Sequence, residues 1–310
     1  MISSFFGKTK PINYIVLAIF LFLFFAINTF FGSGTHIWDQ SIPLELLAFA
    51  VLLLALFIIN QIVRSEKVTD FNSYVMLFFV LLLVAFSETL FSKNVIFSNF
   101  FLLLAFWRLL AVKSNRFVKH KIFDASMLIS IASLFYDWSL VFLVLVFVVI
   151  NVYDRKNFKN WLVPFVGVAT IFMLTFAVVR VTGHSGFFQE HYQFSAGFLN
   201  TDSLIEVINI KAIIFILLMF LLMGIVFVRV RKIGGGKLIL LRIVFAIFVF
   251  GVVISLFTPA GSSPLLITFF PAAVFLANYA ESIKKTKLRE LVLDICIALP
   301  LLLFVIQVSR

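Results

Sequence analysis

Apolar runs follow one another from Pro11 to Val308 with little interruption, and almost every Lys and Arg lies between them. A helix rises about 1.5 Å per residue and a hydrocarbon core is about 30 Å thick, so runs of roughly 20 residues are the length of a crossing. Spans are expected over 13–31, 44–63, 72–90, 95–112, 161–179, 212–228, 238–257, 265–279 and 291–308. The 32 residues from Ile122 to Tyr153 lie between two basic clusters. A single span there would put both clusters on opposite faces, so a helical hairpin turning at Tyr136, Asp137 and Trp138 is expected. Each arm, about 16 residues and about 24 Å, is short of a full bilayer. The total is about 11 spans in an all-α, polytopic transmembrane bundle, one integral membrane domain over 1–310 with no soluble domain.

The positions of the charges orient this bundle, because Lys and Arg are retained on the cytoplasmic face. Lys8 and Lys10 precede the first span, and the next loop holds Asp39 but no Lys or Arg. Arg64 with Lys67, then KSNRFVKHK, then Arg155, Lys156 and Lys159, then RVRKIGGGK, then SIKKTKLR all fall on the same side. About twenty of the 25 basic residues are therefore cytoplasmic, with the N-terminus inside and the C-terminus in the periplasm. The first basic segment resembles a signal peptide, but its apolar run is about 20 residues and lacks an Ala-x-Ala-like exit, so it is expected to stay as the first span.

Composition agrees: 63% hydrophobic and 13% charged residues over 310 positions are incompatible with a water-soluble domain. The net charge of +11 would suggest nucleic acid in a soluble chain, but its interspersion between spans points to membrane lipid, and no nucleic acid is expected as a partner. The 43 phenylalanines read as lipid-compatible filler, and the lone Cys296 excludes an intrachain disulfide. The bacterial inner membrane is the expected location.

Candidate chemistry is sparse. His36, His120, His184 and His191 have no metal-site spacing, so no metal is expected, and no cofactor motif is present. GGGK at Gly234–Lys237 lacks the strand context of a phosphate loop. Arg108 and Arg242 lie close enough to the inner face to snorkel, and Asp124 and Asp294 have basic neighbours to pair with. The remaining polar residues share the outer face: Asp39, Glu88, Asp137, Arg180, His184, Glu190 and His191. Asp39 and Asp137 are the candidate catalytic carboxylates, and Arg180, His184, Glu190 and His191 the candidate substrate-binding residues, since cations and imidazoles hold phosphate oxygens while a carboxylate acts as a general base. Asp137 stands out because the short hairpin sets it below the outer surface. The bland alternatives are that Glu88 pairs with Lys93 and that the loop residues merely meet water.

The opening MISSFFGKTKPIN, the central FWRLLAVKSNRFVKHKIFDASMLISIASLFY with DRKNFKNW, and the late FFPAAVFLANYAE resemble an uncharacterised family of polytopic inner-membrane proteins of Bacteroidota. More remotely, a hairpin beginning FDAS, a long late outer loop with Arg and His, and a Pro-containing penultimate span are similar to GT-C-type glycosyltransferases and O-antigen polymerases or ligases. That resemblance implies transfer from a polyprenyl-phosphate-linked glycan at the periplasmic face, with Asp39 matching the acid of the first outer loop. Two departures stand against it: loop 1 is short, and Ser263 with Pro264 replaces an expected Arg. The alternatives are a non-catalytic subunit or scaffold that binds other envelope membrane proteins, or a transporter or flippase.

Overall fold

The computed structural model describes residues 2–32, 42–184, 186–194, 210–231, 235–258 and 264–308. Asp39 and His36 lie outside the described residues. Helix α1 (Ile2–Phe6) leads to α2 (Pro11–Ile27), α3 (Ile42–Glu66) and α4 (Tyr74–Ala85). Then come α5 (Lys93–Leu110), α6 (Val118–Ser133), α7 (Leu143–Tyr153), α8 (Phe158–Thr182) and the short α9 (Phe187–His191). The chain finishes with α10 (Ile210–Arg231), α11 (Gly236–Phe257), α12 (Phe269–Ser282) and α13 (Thr286–Val308). Among the described residues there is no strand, and eight helices are long and apolar enough to cross a membrane.

Local chemistry sets several boundaries. Pro11 opens α2 at a position where its missing N–H is harmless, and Lys10 before it is extended, as steric contact with the ring requires. Gly183 closes α8 at φ +78°, the left-handed cap that lacks a Cβ penalty only in glycine. Between α6 and α7 the chain turns at Tyr136, and a 3-10 turn over Asp137–Phe142 feeds α7, so residues 118–153 form a hairpin.

Two groups of helices share one apolar core. In one, α3 packs on α5, α5 on α6, and α6 on α8. In the other, α4 is covered by α12, α13, α2 and α3, and α11 bridges the groups by touching α7, α10 and α12. All twelve residues of α4 are buried, as are most of α12, whereas α8, α10 and α13 present exposed Leu, Ile, Val and Phe side chains outward. Phenylalanine serves both settings: Phe79, Phe106 and Phe270 are fully buried, while Phe165 is 62% exposed.

Close approach of α6 and α8 depends on small residues. A Cβ added at Gly167 would lie 2.8 Å from Ser126 Cβ and 3.1 Å from the Phe123 carbonyl oxygen. Ser126, Ser130 and Ser133 are buried on α6, and each hydroxyl donates to a carbonyl three or four residues earlier, so this polar stripe is satisfied inside its own helix.

Candidate functional site

At the α6–α7 turn the structure brings together Asp137 and His191, two of the polar residues expected on the outer face. Both oxygens of Asp137 are engaged by backbone: Oδ1 accepts from the Trp138 amide at 2.8 Å and Oδ2 from the Phe194 amide at 3.0 Å. The half-buried carboxylate thus accepts from the next residue of its own 3-10 turn and holds the segment that follows α9. His191 reaches the same corner, with Nε2 2.7 Å from the Ser133 carbonyl oxygen, so that nitrogen is the protonated donor. Its ring stacks on Phe187 at 5.1 Å. Tyr192 adds a hydroxyl contact of 3.0 Å with Ser133 Oγ, and burial pushes that hydroxyl's pKa up.

Behind this corner, the Tyr136 hydroxyl meets Thr258 Oγ1 at 2.5 Å and Ser98 Oγ meets Ser139 Oγ at 2.7 Å, all buried. Trp138 stacks on Phe257 and stands edge-on to Phe194, each at 5.7 Å. Its indole Nε1 is buried and has no hydrogen-bond partner among the described residues.

The other predicted residues stay apart. Arg180 is exposed in the last turn of α8, its guanidinium over the Phe176 ring at 5.3 Å. His184 and Glu190 are exposed, and neither side chain is hydrogen-bonded to a described residue. Asp137 and His191 therefore converge on the end of α6, whereas Arg180, His184 and Glu190 do not join them. Lys93 does not pair with Glu88; its Nζ lies 2.5 Å from Glu45 Oε2 on α3, donates to the Leu90 carbonyl at 2.9 Å and sits over Phe25. Asp124 does find a basic neighbour, Arg108, at 3.3 Å.

A second polar centre, at the opposite helix ends, was not singled out by sequence. Trp107 Nε1 donates to Ser65 Oγ at 2.9 Å, Ser65 donates to Glu66 Oε1 at 3.1 Å, and Lys113 pairs with Glu66 Oε2 at 3.1 Å. Nearby, Glu281 accepts from Asn72 Nδ2 at 2.6 Å and from the Asp70 amide at 3.2 Å, with Lys237 3.9 Å away. A cavity of ≈ 430 Å³ beside Glu66 is lined by Glu66, Lys67, Lys113, Tyr153 and Lys237 together with Ile239 and Leu240. Gly236 and Lys237 of the GGGK run open α11 here, and Lys237 already lies between two carboxylates, 3.7 Å from Asp70 and 3.9 Å from Glu281. The legible signal was an acid at the end of an apolar run amid lysines, at both Glu66 and Glu281.

Helices of this length and apolarity, with polar networks confined to their ends, define a multi-pass α-helical membrane protein. The chain belongs to a family of unknown function, DUF6427, which it matches over residues 5–310. No curated protein matches it, and no solved structure matches it.

Proposed function

We propose that the protein is a non-catalytic subunit of the bacterial inner membrane, crossing it eleven times with the N-terminus cytoplasmic and the C-terminus periplasmic, and holding other envelope proteins at its outer end. One observation carries this reading: the best-placed carboxylate, Asp137, has both oxygens tied to backbone amides, and His191 is likewise tied to a carbonyl. These contacts tie α9 and the segment after it to the α6–α7 turn, so the placement of both residues is accounted for by holding the chain together, and Arg180, His184 and Glu190 do not join them. The topology rests on eight long helices plus α4, α6 and the Asp137–Tyr153 segment as shorter crossings, and on basic residues clustering at alternate helix ends.

Transfer of a polyprenyl-phosphate-linked glycan is the second reading, favoured by the shared corner of Asp137, His191 and Tyr192 beside Trp138, whose buried indole has no partner among the described residues. In that reading Asp39, Arg180, His184 and Glu190 complete the site from the loops. The test is Arg180→Ala in the full chain, since among the described residues this exposed side chain has only a ring contact to lose. The subunit reading expects unchanged profiles of lipid-linked glycans and a membrane partner cross-linked at the outer loops. Accumulation of a lipid-linked glycan in the variant would overturn it.

A further inference from the structure

Between α10 and α13 runs a long apolar groove of ≈ 780 Å³, floored by α4 and α12. From Lys211 to Ile225 along α10 it extends about 21 Å, more than the roughly 15 Å depth of one leaflet's hydrocarbon. Its volume is within the range of about 300–1,000 Å³ typical of ligand sites. The walls are long, flexible side chains such as Leu218, Leu222, Met219, Leu299 and Leu303. Partner helices in membranes dock on small residues that let backbones approach, and in this lining only Ala85 and Cys296 have small side chains. The surface therefore suits a flexible hydrocarbon chain rather than a helix.

One mouth is polar. Lys211 lies in the first turn of the 22-residue α10, the positive end of its dipole, with Nζ 4.8 Å over the Phe86 ring and 3.5 Å from Gln307 Oε1. Glu88, exposed on the 3-10 turn after α4, lies two residues beyond Phe86, the ring beneath the same lysine. A cation and a carboxylate at one mouth complement a head group carrying a phosphate and a protonated amine. We propose that this groove binds one phospholipid with a primary-amine head group, an acyl chain in the groove, the phosphate on Lys211 and the ammonium toward Glu88. This goes beyond the subunit reading and does not depend on it.

The experiment is native mass spectrometry of the purified full-length protein released from nanodiscs holding equal parts of phosphatidylethanolamine, phosphatidylglycerol and phosphatidylcholine. One phosphatidylethanolamine should remain bound in preference to the other two. Lys211→Gln should lower its retention about tenfold, the loss of one charge-assisted hydrogen bond, and Glu88→Gln should remove the preference over phosphatidylcholine. Leu299→Trp, on the exposed rim of the groove, should displace the lipid while circular dichroism reports unchanged helix content. Equal retention of all three lipids, a preference for phosphatidylglycerol, retention unaffected by Lys211→Gln and Leu299→Trp, or a stoichiometric protein chain cross-linked in the groove would each overturn the proposal.

Discussion

Replacing Gly167 by Ala tests the contact that holds the hairpin to α8. The added Cβ would sit 2.8 Å from Ser126 Cβ, and the neighbouring Phe123 carbonyl and Met127 amide, at 3.1 and 3.3 Å, are backbone that cannot swing aside. Overpacking of this kind costs about 1–3 kcal/mol, and the preference of a helix for Ala over Gly returns about 1 kcal/mol. The net expectation is about 0–2 kcal/mol of destabilisation, which at about 2–4 °C per kcal/mol lowers the melting midpoint by up to roughly 8 °C. Gly224 on α10 supplies the control, because a Cβ there meets nothing within 4 Å and Gly224→Ala should be neutral or stabilising. Intrinsic tryptophan fluorescence during heating, in one detergent and for both variants, reads the difference. If Gly167→Ala melts at or above the midpoint of Gly224→Ala, the close approach of α6 and α8 is not what the geometry indicates.

Three further outcomes are expected. Asp137→Ala leaves the Trp138 and Phe194 amides without their acceptors, so the segment after α9 should become more sensitive to protease, with about 1–3 kcal/mol of stability lost; Asp137→Asn, which keeps one acceptor, should be milder. Lys93→Met strands Glu45 at a site where both side chains are under one-fifth exposed, and should destabilise by about 3 kcal/mol, well above the effect of an exposed pair; a thermal midpoint unchanged by the substitution would contradict this. Tyr192 has a pKa raised by burial, so the folded state holds its proton longer than the unfolded chain does. Its contribution is complete below the ordinary tyrosine pKa of about 10 and is lost as pH rises through the higher folded value. Tyr192→Phe should therefore flatten the alkaline fall of the melting midpoint, and parallel curves for the two proteins would rule the effect out.

How far the sequence was legible differs between elements. Apolar runs bounded by charge place helices well, and the turn at Tyr136–Trp138 follows from two basic clusters that have to share a face. Which side of a helix meets protein was hidden, since lipid and protein interior select the same residues: Tyr74–Ala85 is entirely buried and Phe158–Thr182 largely exposed, yet both read as continuous apolar chain. The site was half legible. Asp137 attracted notice through the short hairpin, but its attachment to Phe194 spans 57 residues, and nothing local announces Ser133 as the anchor of both His191 and Tyr192. Lys93 likewise selects Glu45, 48 residues away, over the nearby Glu88.

The enclosure of α4 has a mechanical consequence. Twelve residues give a rod of about 18 Å, which in direct contact with lipid would force the bilayer to thin. Shielded by α2, α3, α12 and α13, it meets the bilayer only along the groove beside α10, so a thicker or thinner membrane does little work on it directly. Changes in thickness act on the rim, on helices such as α8 and α10, and reach the centre only after those helices have tilted against their neighbours.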